Sequence, residues 1–576
     1  MTHTFRVWAP NHGRVDAVAD GRRIPMNRVD HGWWEAFDAA AAAGSRYGFS
    51  LDCGDARPDP RSPSQPGGVL ALSQLIDHGA HVWRDEGWRG MSLAGRILYE
   101  LHVGTFSPEG TFDGVIEHIP HLVSLGIDTV ELMPVAEFSG GRGWGYDGVA
   151  LFAPHHAYGG PAGFKRLVDA CHAAGVGVVL DVVYNHLGPA GNFLAEFGPY
   201  FSDRHRTGWG AAMNFDGSGS DEVRRFVIDN AVMWMRDYHI DGLRLDAVHA
   251  IVDQSPVHLL EQLATEVGAL GAAVRRSFFL VAESDLNDPR LVRGRGAGGY
   301  GLDGVWSDDW HHALHSVLTG ERTGYYEDFG SLAVLAKALR QAWVYDGIWS
   351  DFRQKTRGGK PSGIASHSFV IATQNHDQVG NRAAGERLAF LVDEGRLKAA
   401  ASLLLMSPFT PMLFQGEEWA CSSPFQYFTD HADVRLGAAV REGRRHEFAA
   451  FGWDPKHVPD PQDLATFERS KLNWRELDVP AHGEMLEWYR ALIALRRGLG
   501  NPTLDGITVL IDADARLLVF TRDTVHVYVN LGDADWQPAV PSGARLLLAS
   551  NDATKAAATH VCLPPSSVAI FQESDV

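Results

Sequence analysis

Cysteine is almost missing from this chain. The 576 residues hold four, Cys53, Cys171, Cys421 and Cys562, widely spaced and without a C-x-x-C pair, which excludes a disulfide framework and a thiolate zinc site. Basic charge is also short. Lys and Arg number 51 against 71 Asp and Glu, a formal charge of -20, and a polyanionic partner such as nucleic acid needs clustered cations. No apolar run reaches the length that spans a bilayer, so no membrane partner is expected. Residues 1–10 read as a strand and lack the basic-then-apolar pattern of a secretory leader, which points to a cytoplasmic protein. Fixed-period repeats and low-complexity tracts are absent.

The chain does hold eight short apolar, β-branched runs, at 97–103, 129–134, 176–183, 242–247, 278–283, 304–307, 369–373 and 412–415. Most are separated by segments of helical spacing. In 222–238, for example, Val223, Phe226, Val227, Val232, Trp234 and Met235 make one apolar face. Strands that alternate with helices pair in parallel, because a parallel connection needs a crossover. Eight such units predict a closed (β/α)8 barrel, an α/β fold.

Composition shifts set the expected domains. Residues 1–88 alternate apolar and polar positions in short runs between Gly, Asp and Pro, as a β-sandwich would, and 89–495 hold the barrel. The Gly-, Pro- and Asn-rich stretch at about 187–220 is an excursion over the barrel rim. Strand-like pieces return at 506–511, 516–520, 524–530 and 545–549, so 496–576 form a second β-sandwich domain.

Four of the barrel strands end in polar groups, at Asp181 to His186, Arg244 to His249, Glu283-Ser284 and Asn375-His376-Asp377. A parallel barrel keeps its chemistry at the rim where its strands end. Two carboxyls flanking a sugar can cleave a glycosidic bond, one attacking the anomeric carbon and one protonating the departing oxygen. Asp246 and Glu283 end neighbouring strands, which suits a double displacement. Arg244, two residues before Asp246, points the same way and holds it ionised. Asp377 supplies a third carboxylate to grip sugar hydroxyls. Taken singly, each of these residues also fits a turn, a helix cap or an ordinary hydrogen-bonded histidine. Their joint occurrence at four strand ends favours a site.

These four segments resemble, in order and spacing, the signature regions of the α-amylase superfamily, glycoside hydrolase family 13, over roughly residues 91–490. The resemblance implies that Asp246 is the nucleophile, Glu283 the general acid/base and Asp377 the transition-state stabiliser. It further implies that Arg244, His186 and His376 contact the sugar at the cleavage point, that Asp181 orders the cluster, and that Tyr146 is the aromatic platform beneath that sugar. It also implies that the sandwich at 1–88 is similar to a carbohydrate-binding module.

Within the superfamily, segments 282–288, 309–315, 319–326, 371–382, 415–419 and 425–431 resemble the trehalose-releasing hydrolases. That likeness implies hydrolysis of the α-1,4 bond next to the terminal trehalose of maltooligosyltrehalose, and a maltooligosyltrehalose-forming synthase as functional partner. Leaving-group recognition then falls to loops after the fourth, fifth and eighth strands, carrying His249, Asp285, Trp419 and 425–431. Two other readings are a glycogen-branching transferase of the same superfamily and an inactive, glucan-binding barrel; the presence of all three carboxylates argues against the latter. No cofactor is expected. Asn185 matches a calcium ligand of secreted amylases, but 187–220 offers no convincing set of acidic partners, so no metal is expected either.

Overall fold

The computed structural model describes residues 3–450, 458–500 and 506–573, so Met1 and Thr2 of the expected first strand lie outside it. Its centre is a closed parallel barrel of eight strands: β1 (Leu98–Leu101), β2 (Thr129–Leu132), β3 (Gly177–Val182), β4 (Gly242–Leu245), β5 (Phe279–Ala282), β6 (Gly304–Trp306), β7 (Phe369–Ala372) and β8 (Thr410–Phe414). All eight fall at the expected runs. The eighth begins two residues earlier than its run, at Thr410, and so takes in Pro411, which sequence rules keep out of strand interiors because it donates no ladder hydrogen bond. Nearly every strand residue is buried, as a sheet covered on one face by helices and filled by side chains on the other must be.

The helix Ser220–Asp237 matches its expected span and buries Val223, Phe226, Val227 and Trp234. The link from β5 to β6 departs from the regular alternation: it holds only a short 3-10 turn, Arg295–Ala297. Between β3 and the Ser220–Asp237 helix the chain makes a short helix, Leu194–Phe197, and an antiparallel hairpin of Phe201–Thr207 with Gly210–Met213.

Ahead of the barrel lie two antiparallel sheets. One is ordered His3–Trp8, Trp33–Asp38, Asn27–Arg28; the other centres on Val15–Ala19 and Arg46–Leu51. Their interface buries Phe5, Val7, Val15, Ala17 and Phe49. Ring contacts of Trp8 with Tyr200 and of Phe49 with Phe197 join them to the 187–220 segment.

After the barrel, a five-stranded antiparallel sheet runs in the order Ile507–Asp512, Leu517–Arg522, Val525–Asn530, Ser567–Gln572, Arg545–Ala549. It rests on the helices Leu332–Gln341 and Glu394–Met406. A smaller second layer, the hairpin of Lys555–Ala556 with Val561–Cys562 joined by bridges from Trp536 to Leu563 and from Ala539 to His560, packs on its other face.

Candidate active site

The strand ends of the barrel open into a cavity of about 290 Å³. Asp246, Glu283 and Asp377 all line it, with Tyr146, His186, His249 and His376. Strands β4 and β5 pair Leu245 with Ala282, so Asp246 and Glu283 leave adjacent strands at the same level. Ala247 then takes a left-handed backbone (φ 40°), rare for a residue with a Cβ, and its amide donates to Glu283 Oε2. This turn ties the two carboxyl-bearing loops together.

Arg244 lies beneath, fully buried over the Trp306 ring at 4.3 Å. Its Nη1 donates to Asp246 Oδ1 (2.9 Å) and Asp181 Oδ2 (2.7 Å), and its Nη2 is 3.8 Å from Glu283 Oε2. Asn185 Nδ2 donates to the other Asp246 oxygen at 2.7 Å, and Asn185 Oδ1 accepts from His186 Nδ1 at 2.5 Å. Both carboxylate oxygens of Asp246 are therefore held from behind.

Glu283 is different. Burial pushes its carboxyl well above the usual range; Arg244 opposes this and the charge of Asp246 reinforces it. Asp181 is also raised, to about 6, by burial, against the pull of Arg244. The cavity thus sets a carboxyl held through both oxygens beside one whose proton affinity is raised by burial, an asymmetry that acid-assisted bond cleavage uses.

On the adjoining wall Tyr146 Oη donates to Asp181 Oδ2 (2.6 Å) and accepts from His376 Nε2 (2.8 Å). His376 loses affinity for its proton through burial but gains more from Glu100, whose Oε1 is 2.5 Å from Nδ1, and ends near 9. Asp377 stays 43% exposed, facing the opening. The chain reaches this wall through Gly145, at φ 99°, where a Cβ would sit 2.2 Å from the Pro134 carbonyl oxygen. Trp209, 54% exposed, stacks on the His186 ring at 4.9 Å on one side of the mouth. Arg142, Tyr427, Thr429, Asp430 and His431 line the other side.

Four expected contacts need correction. Arg244, with no solvent exposure, lies outside the cavity lining and reaches the site through Asp246 and Asp181. Trp419 is fully buried and does not line the cavity: the turn at Gly416 folds the chain back after β8, so the indole packs on Trp474 and His121 and donates to Glu476 at 3.3 Å. Asp285 is drawn away by two ion pairs, to Arg353 (2.9 Å) and Arg357 (2.6 Å), and does not reach the cavity. Phe425, the first residue of the run 425–431 expected on the leaving-group side, is likewise core, against Trp144 and Phe414.

Sequence reasoning missed Glu100, Trp306 and the use of Asn185 as a clamp on Asp246. Glu100 had a signal: it is the one charged residue in an otherwise apolar strand, Leu98–Leu101.

Comparison with known proteins agrees with this architecture. A model described as alpha amylase, catalytic domain, matches residues 75–203, and one described as a domain of unknown function, DUF3459, matches residues 502–570. A malto-oligosyltrehalose trehalohydrolase of Rhizobium sp. (strain M-11) is 49% identical over 99% of this chain and 97% of its own. One from Arthrobacter ramosus is 50% identical over 97% of each. A 1.4 Å crystal structure from Salmonella typhimurium, provisionally named an alpha amylase, superposes with a TM-score of 0.91 at 37% identity, covering 99% of this chain and 98% of that one.

Proposed function

The chain belongs to the malto-oligosyltrehalose trehalohydrolase family of alpha-amylase-type hydrolases, and from that premise we propose that it cuts the α-1,4-glucosidic bond adjacent to the terminal trehalose of maltooligosyltrehalose. The products are trehalose and a maltooligosaccharide. Asp246 attacks the anomeric carbon while Glu283 protonates the departing oxygen, giving a glycosyl-enzyme. Glu283 then takes a proton from water as that water displaces Asp246, so the configuration is retained.

The observation that carries this reading is the unequal treatment of two adjacent carboxyls. Asp246 is gripped by Arg244 and Asn185, whereas burial keeps the proton on Glu283. Asp377, facing the opening, grips the hydroxyls of the sugar at the cleavage point. Tyr146, held by Asp181 and His376, forms the floor under that sugar. The trehalose unit lies on the leaving-group side, against loops that include His249 and Tyr427 to His431.

Such a substrate must come from a reaction that converts the reducing end of a maltooligosaccharide into a trehalose unit, which makes a maltooligosyltrehalose-forming synthase the functional partner. The reading also takes the protein as cytoplasmic. Among the described residues no helix is long and apolar enough to cross a membrane.

Incubation with maltopentaosyl trehalose tests the proposal. Equimolar trehalose and maltopentaose, the latter first appearing as its α-anomer by NMR, are expected. Release of glucose or maltose, or a branched glucan with altered iodine staining, would reject it.

A further inference from the structure

Behind one wall of the cleft is a cluster that the proposed reaction does not use. Glu137, His155 and His156 each offer a ligand atom, and these atoms all lie within 4.8 Å of one another. Glu137 and His156 are 19 residues apart and meet only because the strand Ala136–Glu137 pairs with Ala150–Pro154. The Glu137 carboxylate is fully buried. Its Oε1 is 2.7 Å from His156 Nδ1 and its Oε2 is 3.2 Å from His155 Nδ1.

His155 is the unusual member. It has no solvent exposure, yet neither of its ring nitrogens makes a hydrogen bond of acceptable geometry. Buried polar groups are normally satisfied, so an orphaned imidazole aimed at a buried carboxylate calls for a missing partner. The backbone around it is fixed in place. The His156 amide donates to Glu137 Oε2 (2.8 Å), and the His155 carbonyl accepts from Tyr158 and Gly160. His156 is 35% exposed at the side chain and lines a groove of about 500 Å³ beside Asp77, His81 and Lys165, which gives an ion a route in.

We propose that Glu137, His155 and His156 bind one divalent transition-metal ion of the zinc type, with water from the groove as fourth ligand. Two imidazoles and a carboxylate are a donor set suited to such an ion and poor for calcium or magnesium. Binding displaces the shared imidazole protons and replaces the two histidine contacts to Glu137 with metal bonds. The ion staples the two ends of the segment that carries Arg142, Trp144, Tyr146 and Asp147 into the cleft. Phe138 transmits the clamp, since its ring stacks on His155 at 3.8 Å and also lines the cleft. The role is structural, and the bond-cleaving residues act without it.

Calorimetric titration of chelator-treated full-length protein with zinc chloride, alongside His156→Ala and Glu137→Gln, tests the site. The expected result is one saturable ion per chain and a thermal midpoint that rises with zinc. Each substitution should weaken binding by about 100-fold or more and abolish the midpoint shift, since both remove a direct ligand. Binding unchanged in His156→Ala, or no saturable binding to the parent, would overturn the proposal. His156 is partly exposed, so that variant decides the matter even should Glu137→Gln fail to fold. A hydrogen-bonded triad without metal affinity would leave the parent midpoint insensitive to zinc and thereby reject it as well.

Discussion

Arg244 donates to Asp246 across 2.9 Å from a position with no solvent exposure. The same guanidinium binds the buried Asp181, so removing it leaves that carboxyl and the part-exposed Asp246 without their shared cation. Breaking one side of a buried ion pair costs about 3–5 kcal/mol. Arg244→Met should therefore lower stability by about that amount in denaturant unfolding and abolish turnover. Arg244→Lys keeps the charge but lacks the fork that reaches Asp246, Asp181 and Glu283 together; it should recover part of the stability and little of the activity.

Asp246→Asn and Glu283→Gln should each reduce kcat by about 100-fold or more with far-UV circular dichroism unchanged, because both groups act on charge that develops only in the transition state. Activity within about tenfold of the parent in either variant would show the roles to be misassigned.

The raised carboxyl of Glu283 fixes a feature of the pH profile. As the acid it must be protonated, and burial holds that proton above the ordinary carboxyl range, so kcat/KM should fall on the alkaline side only as this group ionises. In Glu283→Gln the residual activity should lose that alkaline limb. A limb that survives identifies another group as the acid.

Glu417 gives a stability prediction independent of catalysis. It is buried beneath β8, where burial raises it to about 7 against hydrogen bonds from Thr373 and Tyr489. Its unfolded value is about 4.3. Between these values the folded chain holds a proton that the unfolded chain has lost, so stability falls as pH rises from about 4 to about 7. Glu417→Gln keeps an acceptor for both hydroxyls and removes the ionisation. Its thermal midpoint should be close to that of the parent near pH 4 and above it near pH 8; equal slopes for the two proteins would contradict the assignment.

Trp419 separates packing from recognition. Fully enclosed against Trp474 and His121, it should cost about 3–5 kcal/mol when cut to Ala, whereas Trp419→Phe should leave KM unchanged. A raised KM in a stable Trp419→Phe protein would restore it to the binding site.

Much of the barrel was legible because each strand is a short apolar run, and parallel pairing follows from the helices between them. The positions of Asp246, Glu283 and Asp377 were legible for the same reason: a polar residue directly after such a run has to emerge at the rim. What failed was reach beyond the strand ends. Trp419 and Asp285 stand where a loop begins, and whether a loop residue turns in or out was decided by Gly416 in one case and by Arg353 and Arg357, far along the chain, in the other. The strand Ser567–Gln572 went unmarked although it is internal to its sheet and its Val568–Phe571 run is as apolar as those of the barrel. The clamp of Asn185 on Asp246 joins residues 61 apart and has no local signature.

The central claim is that the leaving-group side of the cleft is shaped for trehalose, and kcat/KM for a maltooligosyltrehalose against a plain maltooligosaccharide of equal length tests it most directly. A bent, non-reducing α,α-1,1 unit presents its hydroxyls differently from linear maltose, so polar groups of a matched site would lose partners with the linear substrate. The account predicts a preference of about 100-fold or more for the trehalose-terminated substrate. Equal values for the two would contradict it and mark the enzyme as a general α-1,4-glucan hydrolase.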